Sequence, residues 1–406
     1  MPSPPLPLTG IRVLAVEQYF AGPHGTMLLA DAGAEIIKIE PPGTGEPGRS
    51  IAPFGENARG ERTSHFMLRF NRNKKSLTLN LKAPGGAEIF RDLVKLSDMV
   101  WENMRPDVME RLGLGYAALS AINSRLIYVS VSGFGHTKGP QAPYRLWAAF
   151  DPVAQGMGGL MYRTGEDGSP PIYSNIAVGD QVPGIYAAFG AMLALRQREV
   201  TGRGQHVDIS MYDCMLALNE YALAIQSLTG QPAPRGRNPS SAPFGPYAAK
   251  DGHVVIATVG DAMWGKFCQA IDREDLREHP QLYTGVLRAR HAESVLRPEI
   301  ERWTRLHTMA AITEIMFKAG VACAPAQDID DLLQCPHAAT RQMVLEIDDP
   351  AAGRMKVAGN PVKLGNAPHN APLPPPRLGQ QTDELLMTLL GLTTEDVAGL
   401  HRQGVI

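Results

Sequence analysis

The spacing of apolar and polar positions outlines the first half of the chain. Ile11-Arg12-Val13-Leu14-Ala15-Val16 and Glu35-Ile36-Ile37-Lys38-Ile39-Glu40 are apolar runs of strand length. Between them Gly22-Pro23 predicts a turn, and residues 24–32 a helix that Gly33 stops. Gly43 to Arg49 predicts a loop, and Ser76-Leu77-Thr78-Leu79-Asn80-Leu81 alternates as a strand. A helix near Ala87 to Lys95, a short strand at Met99-Val100-Trp101 and a buried strand at Leu126 to Val131 follow. Strands alternating with helices in this way predict an α/β fold with a mostly parallel, helix-covered, Rossmann-like sheet, whose ligands gather at the strand carboxyl ends. The turns at Asn103 and Gly133 would lie there.

Further on, Ile176 to Val178 reads as a short extended segment. Residues 181–198 carry Ile185, Phe189, Met192, Leu193 and Leu195 largely at helical spacing, and Pro183 places the helix start close to Asp180. His206 to Ser210 predicts a strand and Met211 to Leu228 a helix. Composition then shifts to Pro, Arg, Gly, Asn and Ser over Gln231 to Pro246, which predicts a linker and active-site loop. From Tyr247 to Pro325 the pattern is that of a smaller α+β unit, with strands at His253 to Ala257 and Val321 to Ala324 and helices at residues 262–271, 286–305 and 308–319. A hairpin turning on Asp349-Pro350-Ala351-Ala352-Gly353, a proline-rich crossing from Pro368 to Pro376 and two helices capped at Thr382 and Thr394 close the chain. The expected division is residues 1–228 as a large domain, 229–328 as a small one, and 329–406 returning to the first.

Composition narrows the function classes. The 406 residues are 44% hydrophobic and 20% charged, with a formal net charge of −2, so no global field draws the chain to nucleic acid or an anionic membrane. Met1-Pro2-Ser3-Pro4-Pro5 lacks the charged and apolar regions of a signal peptide, and no apolar run approaches a membrane span; a cytoplasmic protein is expected. Cys214, Cys268, Cys323 and Cys335 lie in separate elements without metal-ligand spacing, so neither a metal site nor a disulfide framework is expected. Ala21-Gly22-Pro23-His24-Gly25 is not a dinucleotide fingerprint, and its proline removes an amide that a pyrophosphate would need. Hydrolase, metalloprotease and phosphate-loop motifs are missing as well.

What remains is a placed carboxylate. Asp180 follows Gly179 at a helix start, where free amides and the positive helix end stabilise an ionised cap and also any oxyanion that forms beside it. Asp151, in Phe150-Asp151-Pro152, is a second acid that either tunes Asp180 or caps its own turn. Asn71-Arg72-Asn73-Lys74-Lys75 reads as a local anion patch or a solvated basic turn. Arg49 and Arg145 are candidates for neutralising a second carboxylate on a substrate. His136, in Gly135-His136-Thr137, is expected at the surface.

The ordered set Leu8-Thr9-Gly10-Ile11-Arg12-Val13-Leu14, Ala21-Gly22-Pro23, Gly33-Ala34-Glu35-Ile36-Ile37-Lys38-Ile39-Glu40, Asn71-Arg72-Asn73-Lys74-Lys75-Ser76, Glu102-Asn103, Arg111-Leu112-Gly113, Gly179-Asp180, Thr201-Gly202-Arg203-Gly204-Gln205 and Leu378-Gly379-Gln380-Gln381-Thr382 resembles the class III CoA-transferases. That family includes formyl-CoA and carnitine CoA-transferases and is related to alpha-methylacyl-CoA racemase. The resemblance implies that Asp180 attacks an acyl-CoA and carries CoA as an aspartyl thioester, with no permanently bound cofactor. It implies CoA contacts at Tyr19, Phe20, Ala21, Arg72, Lys74, Asn103, Met104 and Arg111, and an intertwined homodimer. Succinyl-CoA with a small carboxylic or dicarboxylic acceptor is the expected substrate class. The formyl-CoA enzyme has glutamine at the Phe20 position, arginine at the Pro41 position and a glycine-rich loop where this chain has Asn238 to Phe244, so formate and oxalate are not favoured. The alternative within the family is a 2-methylacyl-CoA racemase using Asp180 as the α-proton base. The racemases place a histidine where this chain has Phe150.

Overall fold

The computed structural model describes residues 5–236, 238, 240–368 and 371–406. Parts of three stretches read from sequence, the N-terminal Met1–Pro5, the loop from Asn238 and the crossing from Pro368, lie outside the described residues. The chain divides into two compact units. One comprises residues through Leu160, Tyr173–Asn219 and Ala339–Ile406; the other comprises Met161–Ile172 and Glu220–Ala338. The sequence reading drew its lines at 228 and 328.

The larger unit is built on six parallel strands: β1 (Arg12–Val16), β2 (Glu35–Glu40), β3 (Lys74–Thr78), β4 (Met99–Glu102), β5 (Ile127–Ser132) and β6 (His206–Ser210). Their order is β3-β2-β1-β4-β5-β6, and every adjacent pair is parallel. Alternation along β1 sends side chains to two cores. Val13 and Ala15 join Ala187, Ala191 and Ala194 of the long helix Val178–Thr201 on one face, while Leu14 and Val16 join Phe90, Leu93, Leu385 and Leu386 on the other. The sheet is therefore covered on both sides. The order reverses between β1 and β4, and a crevice at the strand carboxyl ends is expected there.

Several elements differ from their sequence-based limits, each for a physical reason. The first helix spans Ala21–Asp31, with Pro23 in its first turn, where no amide is needed; Gly22-Pro23 is thus helix rather than turn. Ile176 to Val178 is not a strand, because the long helix begins at Val178 and absorbs Pro183. β3 starts at Lys74, two residues before the apolar alternation, since ion pairs rather than apolar contacts bury its first lysine. Residues expected as one helix from Met211 form Met211–Ala217 and Glu220–Thr229. Thr382 does not cap its helix; its hydroxyl instead accepts the Thr78 amide at 2.9 Å. Thr393, not Thr394, makes the capping box, with Asp396. The expected hairpin is present as Val344–Asp349 paired with Gly353–Ala358.

The smaller unit has an antiparallel sheet of Phe244–Ala248, His253–Ala257 and Ala322–Pro325. Trp264, Phe267, Leu296, Ile300, Ile312 and Met316 form its core. Among the described residues no helix is long and apolar enough to cross a membrane.

Candidate active site

Two glycines bring the long helix against the first one. A Cβ on Gly25 would lie 2.4 Å from the Trp101 ring and 2.8 Å from the Gly184 carbonyl, and one on Gly184 would lie 2.8 Å from the Ala21 carbonyl. Larger residues would push the helices apart and draw Asp180 away from the Tyr19-Phe20-Ala21 turn. Asp180 is the third residue of its helix, not the cap. The capping position is Ala177, which has no side-chain acceptor. Asp151 supplies one instead: its Oδ1 accepts the Gly179 amide at 2.7 Å. The same carboxylate accepts Gln155 Nε2 at 3.0 Å on both oxygens and the Tyr173 hydroxyl at 2.6 Å. Gln155 is aimed by its bond to the Ile176 carbonyl at 2.9 Å. Only glycine fits at 179, because a Cβ there would sit 2.7 Å from the Asp151 carbonyl and 2.9 Å from its Oδ1.

Asp180 has the opposite environment. It is 9% exposed, and no donor among the described residues reaches its carboxylate. Burial, joined by the negative charge of Asp151 and opposed by Arg69, pushes its pKa from 3.8 to about 7. A buried carboxylate without hydrogen bonds has its charge undispersed, which makes the ionised form a strong base and nucleophile.

A cleft of about 460 Å³ opens over this carboxylate at the ends of β1, β4 and β5. Five of the sequence-predicted contacts line it together with Asp151 and Asp180: Tyr19, Phe20, Ala21, Asn103 and Met104. Gly133 lines it too, so both turns expected at the strand ends are present. The Asn103 side chain acts as an extra strand partner, accepting the Gln18 amide and donating to the Gln18 carbonyl, both at 2.8 Å. Tyr19 sits in the left-handed region at φ 60°, and Glu46 fixes it there by accepting its amide at 2.8 Å.

The other three predicted contacts lie elsewhere. Arg72 is buried and clasps Asp31 at 2.9 and 2.7 Å. Lys74 is buried against Glu17 at 2.7 Å and the Pro23 carbonyl at 3.0 Å. The basic stretch is therefore neither an exposed anion patch nor a solvated turn. Long-range carboxylates draw it inward, and nothing local in the sequence announces them. Arg111 is exposed and outside the cleft lining. Arg49 pairs with Glu40 and Arg145 with Asp107. His136, expected at the surface, has a side chain only 12% exposed, with Nε2 3.7 Å from Glu102. Sequence reasoning missed Arg69, Gln155 and Tyr173. Gln155, four residues after Asp151 and hence on the same helix face, carried a usable signal; Arg69 carried none.

A sequence model of CoA-transferase family III matches residues 8–382. The chain belongs to this family. Among its relatives, succinyl-CoA–D-citramalate CoA-transferase of Chloroflexus aurantiacus is 37% identical over 99% of both chains. Succinyl-CoA:mesaconate CoA-transferase of Haloarcula marismortui is 37% identical over 93% of this chain and 95% of that one. A crystal structure of a CAIB/BAIF family protein from Brucella suis superposes with a TM-score of 0.83 at 30% identity, covering 95% of this chain and 100% of that one. The protein is thus an enzyme of the family III CoA-transferase class.

Proposed function

We propose that the enzyme moves CoA from succinyl-CoA to a small carboxylic or dicarboxylic acid through a covalent aspartyl-CoA thioester on Asp180. The observation that carries this reading is the bare, buried Asp180 carboxylate at a helix start in the cleft. Its ionised Oδ attacks the thioester carbonyl of the donor and expels CoA thiolate, leaving a mixed anhydride. The thiolate then attacks the aspartyl carbonyl and releases succinate, giving the aspartyl-CoA thioester. An acceptor carboxylate displaces the thiolate to form a second anhydride. Attack of the thiolate on the acceptor's acyl carbon yields the new CoA ester and restores Asp180. Each step conserves acyl activation, so the cycle needs no ATP. The first-turn amides already donate to Ile176, Asp151 and Ala177, so what the helix start offers the oxyanions formed at the aspartyl carbonyl is the positive end of its dipole. Asp151 occupies the Gly179 amide and holds the turn that presents Asp180.

In this reading the acyl end of CoA runs along Tyr19-Phe20-Ala21 and Asn103-Met104, and exposed Arg111 meets its phosphates. Arg72 and Lys74, already committed to carboxylates, shape the site from behind. The donor and acceptor classes follow the relatives named for succinyl-CoA, citramalate and mesaconate. Racemisation is not favoured: it needs a second acid/base opposite Asp180, and the cleft lining offers Phe150 and no histidine. We also propose the intertwined homodimer. Ile185, Phe189 and Leu193, one turn apart on the long helix, are 49%, 58% and 55% exposed, an apolar stripe that calls for a partner; light scattering at micromolar concentration tests it.

The experiment for transfer is incubation with succinyl-CoA and a panel of acids including citramalate, mesaconate and malate. New CoA esters, and a CoA mass adduct on the Asp180 peptide when acceptor is withheld, are expected. Solvent deuterium at the α-carbon of a branched acyl-CoA without any adduct would favour the racemase instead.

A further inference from the structure

A succinyl group carries a free carboxylate at its far end, and a dicarboxylic acceptor carries the same group. Entering the cleft, that carboxylate meets Asp180 and Asp151, and like charge repels it unless a cation stands nearby. Most cations of this region are committed elsewhere. Arg49 grips Glu40 at 2.6 and 2.7 Å and also donates to the Pro376 carbonyl. Arg145 grips Asp107 at 3.1 and 2.6 Å, and Lys138 lies 3.5 Å from the same acid. Arg72 and Lys74 are buried in ion pairs. Arg105 lines the cleft at its exposed rim and donates to the Leu146 carbonyl at 2.7 Å.

Arg69 differs from all of these. Its guanidinium lies over the rings of Phe20 and Phe70, 4.5 and 4.9 Å from their centroids. Phe20 lines the cleft beside Asp180. Arg69 forms no ion pair among the described residues, yet its charge is felt at Asp180 as the force opposing the upward push on that carboxyl. Arg69 is exposed and is not itself part of the cleft lining; Phe20 links it to the site, its ring carrying the guanidinium while lining the same cleft as Asp180. An aromatic seat strips water from one face of the guanidinium and leaves its planar fork ready for a carboxylate.

We propose that Arg69 is a specificity-determining residue that holds the free carboxylate of the succinyl donor, or of a dicarboxylic acceptor, while the other end reacts at Asp180. The proposal rests on the transferase reading above. The test compares succinyl-CoA with butyryl-CoA, which has the same chain length without the distal carboxylate, using wild type, Arg69→Met and Arg69→Lys. Loss of a charge-assisted contact lowers the ratio of kcat/KM for succinyl-CoA to that for butyryl-CoA by roughly 10- to 100-fold in Arg69→Met, and Arg69→Lys recovers part of it. A parallel fall for both donors would make Arg69 only a support of Asp180 and overturn the proposal. So would a raised inhibition constant for free CoA with the donor preference unchanged, which would assign Arg69 to the CoA phosphates. Wild-type enzyme that transfers CoA from neither donor to any acid would instead remove the transferase reading, whatever the variants do.

Discussion

Two buried groups of charge in the larger unit, both beside the Tyr19-Phe20 turn, resolve the cost of burial in opposite ways. Behind the turn, Lys38 lies 3.6 Å from Glu17 and 3.2 Å from Glu46, Lys74 lies 2.7 Å from Glu17, and Arg49 lies 2.6 Å from Glu40. Burial alone would raise the pKa of Glu40, but Arg49, Lys38 and Ser76 overcome it and hold the group at about 2. In front of the turn, Asp180 is also buried but has no such partners, and it rises to about 7. Depth does not set the direction; partners do. The paired group behaves as scaffold, and the unpaired carboxylate keeps its reactivity because nothing neutralises it.

The sharpest break of this contrast is to remove the unpaired group. Asp180→Asn keeps the shape and deletes the nucleophile, so CoA transfer falls by about 10⁴-fold or more while the fold remains. Steady-state rates with circular dichroism on the same sample check it; near wild-type transfer would sink the proposed role. On the paired side, Lys74→Met leaves Glu17 buried with Lys38 alone and costs about 3–5 kcal/mol of stability. Denaturant unfolding reads that loss, and an unchanged midpoint would mean that Lys38 suffices.

Next in size is a pH effect with a definite sign. Folded Asp180 titrates near 7 and its unfolded counterpart near 3.8, so between these values the native state binds the extra proton. Stability contributed by this group is therefore lost as pH rises through that window. Asp180→Asn removes the loss: the variant is more stable than wild type at pH 8, by up to about 4 kcal/mol on a three-unit shift, and no more stable at pH 4. Melting curves at the two pH values decide it. The same titration gives transfer an acid limb near neutrality, because only the ionised carboxyl attacks.

Much of the larger unit was legible because its strands and helices announce themselves locally. β2 runs from Glu35 to Glu40 as its apolar run predicts, and Gly179-Asp180 stands out beside a long apolar helix. What was hidden depends on contacts far apart in sequence. Lys74 and Glu17 are 57 positions apart and Arg72 and Asp31 are 41 apart, so a basic stretch that reads as surface becomes interior only once the sheet closes. Helix limits failed where a proline fits a helix interior or first turn, as at Pro183 and Pro23. Arg69 had no local signal because its meaning comes from Phe20 and Asp180, both distant in the chain.

The finest test concerns the acid that separates the two regimes. Tyr173 donates to Asp151 at 2.6 Å, and this bond, with burial behind it, lifts the phenol to about 12. Donation offsets part of the Asp151 charge that Asp180 feels. Tyr173→Phe removes that offset while Gly179 and Gln155 still hold the carboxylate in place. The acid limb of transfer should then move to higher pH by a few tenths of a unit, with a stability loss of about 1 kcal/mol. Arg69→Met should move the limb in the same direction, by removing the cation that holds Asp180 down. A limb that stays put in Tyr173→Phe, or moves to lower pH, would show that Asp151 acts on Asp180 through the geometry of the Gly179 turn rather than through its charge.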